Sequence, residues 1–415
     1  MQYNRLNDEL VTENNRSSKW WHHHQIKVIG ITLIILIVIL ITFSLILKFV
    51  ILAPNKSETT TITTTTSPLT TITTTTLLST TTTTAQHSGW IYGGRMLSER
   101  YYHTASVLPN GNVLIIGGYY GGYRNTAEFY DLSTGTWKFT SSMKNARYRH
   151  TASILMNGKV LVAGGSDGHS YLNSALLYDP ITGNWTTTGN MSNSRNSHTA
   201  SLLTNGKVLV TGGNHPLALN SSELYDPVTG TWATTGSMNY ARFYHTASVL
   251  TNGKVLVTGG LNGDALNSAE LYDPSTETWT ITGTMNSERY YHTASLLADG
   301  KVLVTGGYFA GTLNDAELYD PSTETWTIVS RMKNAREGHT ASVLTDGKVL
   351  VAGGKNGNYD YLNSSELYDP STRTWTITYR MSRARCYHTA SGLTNGKVLV
   401  SGGYDGVALI DAELY

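Results

Sequence analysis

Cysteine is all but missing from this chain. Cys386 stands alone among 415 residues, which excludes an intrachain disulfide and a multi-cysteine metal site. Charge is scarce as well: Asp, Glu, Lys and Arg make up 14 % of the residues and nearly cancel, leaving a formal net charge of +1. Bulk electrostatics therefore supplies no drive toward nucleic acid or an acidic surface. Long apolar runs are absent with one exception, residues 28–47. What abounds instead is glycine, with 40 residues, and tyrosine, with 26, a balance that suits a turn-rich β protein.

Composition divides the chain into four parts. Residues 1–27 form a short polar tail of mixed charge, read as disordered and cytosolic; its His22–His24 run beside Trp20–Trp21 reads as incidental rather than metal-binding. Residues 28–47 are twenty uncharged residues, nearly all Ile, Leu and Val. At ~1.5 Å per residue they span roughly 30 Å, the thickness of a hydrocarbon core. A lone segment in lipid satisfies its backbone only as a helix. A cleaved signal peptide would have a shorter apolar region followed by small residues, whereas here Lys48-Phe49-Val50-Ile51-Leu52 continues. The expectation is an uncleaved signal-anchor over 28–52, with Arg16, Lys19 and Lys27 weakly favouring an amino terminus inside.

Residues 53–85 are the third part. Within 57–84, 18 of 28 residues are Thr and three are Ser. Such a tract has too little apolar surface to fold. Its hydroxyl density reads as an O-glycosylated stalk, which implies an extracellular or luminal head; the alternative is an unmodified linker. Asn55, Asn184, Asn190, Asn220 and Asn363 begin Asn-x-Ser/Thr sequons and are glycosylation candidates under that topology. The expectation is a single-pass, type II membrane protein.

Residues 86–415 are one unit repeated. The His of His-Thr-Ala recurs at 103, 150, 198, 245, 292, 339 and 388, an interval of 47 to 49 residues, within the range of propeller blades. Glycine pairs keep pace, from Gly117–Gly118 to Gly402–Gly403. In 245–281 the pattern predicts strands at His245–Leu250, Val255–Val257, Ser268–Tyr272 and Thr278–Ile281. Asn252-Gly253 reads as a type I′ hairpin turn and Asp273 to Thr276 as a second turn. A glycine pair after strand two, a Tyr closing strand three and a Trp opening strand four resemble the kelch motif. The resemblance covers all seven units and implies an all-β, seven-bladed propeller. The last unit stops at Tyr415 before its Trp segment. Trp90, Met96, Arg100 and His103 have the spacing of Trp137, Met143, Arg147 and His150, so Trp90 is expected on the outer strand of the last blade.

Residues shared by every unit most simply serve the blade. Each repeated Arg (100, 147, 195, 242, 289, 336, 385) is expected to pair with a blade carboxylate such as Glu128, Glu223 or Glu270, except that unit two carries Leu176 there. Thr104 and its equivalents are expected to bond locally. No metal ring, catalytic set or cofactor is expected. Subtracting the repeat leaves two variable loops on one face. Between Arg and His lie Tyr101-Tyr102, Tyr148-Arg149, Phe243-Tyr244, Tyr290-Tyr291, Glu337-Gly338 and Cys386-Tyr387. After the glycine pairs lie Tyr119, Tyr120, Tyr123 and Arg124, then Tyr171, Asp264, Tyr308-Phe309, Tyr361 and Tyr404. Tyrosine offers rigid amphipathic contact at low entropy cost, so this face is the candidate surface for an extracellular protein or glycan ligand; neutral drift on solvated loops is the alternative.

Two rival functions follow from resemblance. Arg289 to Leu296, continuing through Asp299-Gly300-Lys301-Val302, resembles the Tyr-His copper-ligand segment of galactose oxidase, itself a kelch-type propeller. Tyr102-His103, Tyr244-His245 and Tyr387-His388 match it too, which makes the pattern a repeat feature. That resemblance implies a copper-radical oxidase with a Tyr–Cys crosslink and a further His from an added carboxy-terminal domain; Cys386, adjacent to Tyr387, offers no counterpart for the crosslink, and the sequence to Tyr415 shows no such domain. The other rival is an intracellular kelch adaptor, for which residues 1–27 are short as a partner domain.

Overall fold

The computed structural model describes residues 89–357 and 359–415. The expected tail, membrane span and stalk, with Asn55, lie outside the described residues. Among the described residues no helix is long and apolar enough to cross a membrane.

Seven four-stranded antiparallel sheets make a seven-bladed propeller. In the fourth blade the strands run Thr246–Val249, Val255–Thr258, Ala269–Asp273 and Thr278–Ile281, innermost to outermost. The inner strands carry small residues, Thr-Ala-Ser, where blades converge on the axis. The second strands, such as Val255-Leu256-Val257-Thr258, are buried at all four positions; β-branched residues filling both faces suit a strand sandwiched between neighbouring blades. Two blades carry an additional two-stranded hairpin, Leu261–Asn262 with Asp264–Ala265 and Lys355–Asn356 with Asp360–Tyr361.

The inner hairpin turn differs from the type I′ expectation. Leu250 and Lys254 are bonded through Leu250 N–H to the Lys254 carbonyl at 2.8 Å, and Gly253 N–H reaches the Leu250 carbonyl at 2.9 Å. Gly253 has φ 82° while Asn252 stays on the negative side. The connection is thus a type I-like turn closed by a left-handed glycine. The Asn252 side chain accepts from Lys254 N–H at 3.1 Å, a local bond that holds Asn252 out of the left-handed region.

No blade has a core of its own. Leu114 and Ile116 of the first blade pack on Val160, Val162 and Tyr178 of the second, and the pattern repeats around the ring. Leu399 and Leu414 of the seventh blade meet Val113 and Ile115 of the first in the same way. Each fully buried Leu or Val contributes about 1.5–3 kcal/mol, so stability resides in the seams. Closure comes from the amino-terminal end: Ile91–Arg95 pairs antiparallel with Asp411–Leu414 as the outer strand of the seventh blade. Trp90 stacks on Tyr415 at 5.1 Å, equivalent to the Tyr130–Trp137 pair at 5.2 Å. Its indole Nε1 donates to the Tyr379 carbonyl at 3.1 Å, as Trp137 donates to Gly93 at 3.0 Å.

Glycine pairs sit where blades touch. Gly259 and Gly260 have φ of 59° and 103°, and Gly260 N–H donates to the Arg289 carbonyl of the next blade at 2.9 Å. A Cβ on Gly259 would collide with that carbonyl and with the His292 ring. Positive φ and close approach together require glycine here.

Candidate functional site

Three concentric sets of side chains surround the axis. The arginines clip each linker to the blade it enters. Arg100, Arg195, Arg242, Arg289, Arg336 and Arg385 pair with Glu128, Glu223, Glu270, Glu317, Glu366 and Glu413 at 2.6 to 2.8 Å. All six arginines are fully buried. The second blade, with Leu176 at the carboxylate position, leaves Arg147 only the Gly164 and Ser174 oxygens, at 3.0 to 3.3 Å. Burial lowers its pKa to about 10, against a rise from Asp167.

The histidines link blades to one another through the repeated threonines; the expected bond within the blade occurs as well at Thr246, Thr293 and Thr389, which meet Thr258, Thr305 and Ser401. Thr104 Oγ1 meets His150 Nε2 at 2.8 Å, and the relation continues blade by blade until His103 meets Thr389 at 3.0 Å. All seven Nδ1 atoms are buried without a partner. Burial, with the neighbouring arginine second, drives these imidazoles toward neutrality; His103 falls to about 3, and burial foremost takes His198 to about 3 as well.

The third set is a collar formed by the residue before each histidine. Tyr102, Arg149, Ser197, Tyr244, Tyr291, Gly338 and Tyr387 all have φ between 52° and 60°. Each N–H donates to the carbonyl of the preceding member, from Tyr102 to Tyr387 at 3.2 Å through Tyr387 to Gly338 at 2.9 Å. The circle uses seven donors and seven acceptors and leaves none over. Its side chains close a second circle. Tyr102 lies 4.5 Å from Tyr387, Tyr387 lies 5.5 Å from Tyr291, and Tyr291 lies 4.2 Å from Tyr244. The Arg149 guanidinium completes it, 4.4 Å over Tyr102 and 5.0 Å over Tyr244, within cation–π range.

Collar and histidines line an open axial pocket of about 260 Å³. Burial, as the leading effect, raises the phenol pKa values of Tyr102, Tyr291 and Tyr387, so these hydroxyls stay protonated. Arg149 makes no ion pair with a described carboxylate, and its Nε is buried without a partner.

The remaining candidates fall outside the collar. Tyr101 contacts Tyr102, Tyr119 and Tyr404 at 5.1 to 5.6 Å, and Tyr404 touches Tyr361 at 5.7 Å. Tyr123 packs on Tyr148 at 5.2 Å, Phe243 on Tyr244 at 4.8 Å and Tyr290 on Tyr308 at 5.6 Å. Tyr171 meets His215 at 5.3 Å. Tyr120 and Phe309 are exposed, Asp264 sits on an exposed hairpin, and Arg124 donates its backbone N–H to Gly118. Tyr119 and Gly338 lie in the variable loops, whereas Ser197 was not among the candidates. The signal for Ser197 is positional: it stands immediately before a repeated His. Of the sequons, Asn184, Asn190 and Asn220 are exposed, and Asn220 spends its amide on the Met238 carbonyl at 3.1 Å.

The copper-ligand resemblance does not fit this geometry. His292 Nε2 is engaged by Thr246 and Thr258. Cys386 is buried against the Tyr404 carbonyl at 3.4 Å, and burial foremost pushes its thiol up to about 12. Among the described residues no group of three His, Cys, Asp or Glu side chains converges as a metal site.

Comparison with known proteins agrees with the repeat. A search of curated protein sequences found no significant match. Among solved structures, the chain is similar to a novel fungal alcohol oxidase of the AA5 family in complex with copper, at a TM-score of 0.66 and 20 % identity, covering 78 % of this chain and 75 % of that one. At that identity the likeness concerns the fold. The family model for the KLHDC2/KLHL20/DRC7 Kelch-repeats domain matches residues 64–260 and 233–403, well over half of the sequence: the chain belongs to the Kelch-repeat family.

Proposed function

We propose that this protein is a membrane-anchored binding module whose propeller is displayed outside the cell or in a lumen and engages a protein or glycan through the tyrosine-rich face. The collar carries this reading. Six of its seven members are not glycine, although φ near 53° disfavours any side chain by roughly 1 kcal/mol. Gly338 occupies the same place in the sixth blade without disturbing the circle. The fold therefore asks only for the backbone conformation, and tolerating strain to keep four tyrosines and an arginine at the axis is what a recognition surface would need. The apolar run at 28–52 and the threonine tract at 53–85 support the anchored topology. Copper-dependent alcohol oxidation is the alternative, favoured by the fold likeness; copper held stoichiometrically by the purified propeller would support it.

The test is the triple variant Tyr102→Gly, Tyr244→Gly, Tyr291→Gly, which keeps the collar backbone. Binding to glycan arrays and cell surfaces should be lost with the circular dichroism spectrum unchanged. Undiminished binding by the folded variant would remove this face from the function.

A further inference from the structure

We infer that the axial cavity is a site for one acidic sugar residue, a carboxylated pyranose, with Arg149 as the carboxylate's partner. This rests on the binding-face reading above and names the ligand class it takes.

Charge comes first. The cavity is lined by Tyr, His, Ser and Gly residues and by Arg149. The imidazoles are neutral through burial, and the nearest carboxylate–cation pair of the collar region, Glu337 with Lys355 at 3.3 Å, is self-compensating. Arg149 is thus the one uncompensated charge in the lining. A guanidinium that lines the pocket and is held by tyrosine faces is a donor for a charge-assisted bond to an anion.

Shape and the remaining groups select the kind of anion. A cavity of about 260 Å³ lies near the lower end of ligand pockets and holds about one ring. Every collar N–H and C=O is already used within the circle, so no backbone edge is on offer to an extended peptide, which binds through such groups. What remains is hydroxyl chemistry and aromatic faces: phenols of Tyr102, Tyr244, Tyr291 and Tyr387, and Ser197 Oγ, which donates to Asn196 Oδ1 at 2.8 Å and is left to accept. A pyranose presents a C–H face to stack on rings and a rim of hydroxyls to exchange bonds with phenols.

The experiment titrates the full-length protein with glucuronic acid and with glucose, which differ in the carboxylate, by ligand-observed nuclear magnetic resonance. Glucuronate should bind about tenfold more tightly, the scale of one charge-assisted bond. Arg149→Gln should erase that preference while leaving the melting temperature and the weak glucose binding in place. Equal affinity for the two sugars on the unaltered protein, or no binding of either, overturns the inference without any variant. So does unchanged glucuronate binding by Arg149→Gln. Acetate or a peptide with a free terminal carboxylate competing as well as glucuronate would show that the ring is not recognised and would equally overturn it. Loss of surface binding in the tyrosine variants alongside intact binding in Arg149→Gln would reject the acidic sugar alone and leave the face reading standing.

Discussion

Four consecutive residues hold two opposite kinds of repetition. In Arg100-Tyr101-Tyr102-His103 the outer two recur as side chains in all seven blades, whereas at Tyr102 only the backbone conformation is common to all seven, the side chain being Tyr in four and Arg, Ser or Gly in the others. The outer pair shows what a blade must have: a guanidinium tying its linker to its third strand, and an imidazole tying its inner strand to its neighbour. The collar position shows what a blade leaves free. Identical side chains in seven copies answer a shared structural demand, and identical φ with unlike side chains marks the place where the ring was at liberty to specialise.

The largest effect that would sharpen this contrast is acid sensitivity. Each ring histidine has a folded pKa below its unfolded value of about 6.5, with burial as the leading cause. The unfolded chain therefore binds protons that the folded ring refuses, so the stability is complete above pH 6.5 and drains as pH falls. The slope is up to about 1.4 kcal/mol per pH unit for each histidine, hence up to about 10 for seven. Urea midpoints measured at pH 7, 6 and 5 should fall steeply and together. A flat profile over that window would mean the ring takes up protons while folded, and the structural reading of the histidines would fail.

A smaller effect comes from the one blade that breaks the arginine pattern. Glu270→Leu reproduces in the fourth blade what Leu176 is in the second, leaving Arg242 buried without its carboxylate. Breaking a buried pair from one side costs about 3–5 kcal/mol. The reverse change, Leu176→Glu, gives the already buried Arg147 its missing partner and should raise stability, by up to about the same amount. Denaturant midpoints of the two variants decide it. Shifts near zero in both would show that the arginines hold their linkers through carbonyl bonds alone.

The parts of this molecule legible in the sequence were those set by side chains repeated at fixed spacing. Seven His-Thr-Ala units, seven glycine pairs and the Tyr and Trp pattern carry the seven-bladed fold, and the substitution at Leu176 marks the blade whose arginine lacks an ion pair. Trp90 stands at the spacing of an outer strand, and the adjacent Ile91–Arg95 pairs with the end of the chain. The histidine–threonine bonds escaped because six join residues 46 to 48 apart on different blades and the seventh joins His103 to Thr389, 286 apart, and a single unit looks complete without them. The turn at Asn252-Gly253 escaped because the dipeptide suits two turn types that differ in one φ. The collar was half legible: its tyrosines stood out by type, but Ser197 and Gly338 share only a conformation with them, and conformation leaves no letter in the sequence.

The smallest effect is the most discriminating. Replacing Tyr244 by Gly removes ring contacts at 4.2 and 4.8 Å, worth about 0.5–1.5 kcal/mol each at most in such pairs. It also relieves the left-handed strain at φ 54°, roughly 1 kcal/mol in the opposite direction, with the collar's hydrogen bonds untouched. The Arg149 guanidinium 5.0 Å over this ring is lost as well, so the relief offsets only part of the loss and the thermal midpoint should fall modestly while ligand binding falls. Tyr272→Gly, a tyrosine fully buried in the seam between blades and held by Thr235 at 2.8 Å, should lose about 3–5 kcal/mol by cavity formation. Two tyrosines 28 positions apart would then respond oppositely, one in binding and one in stability. If Tyr244→Gly proved as destabilising as the seam variant, the collar would be a structural plug, and the freedom inferred from its unlike side chains would not exist.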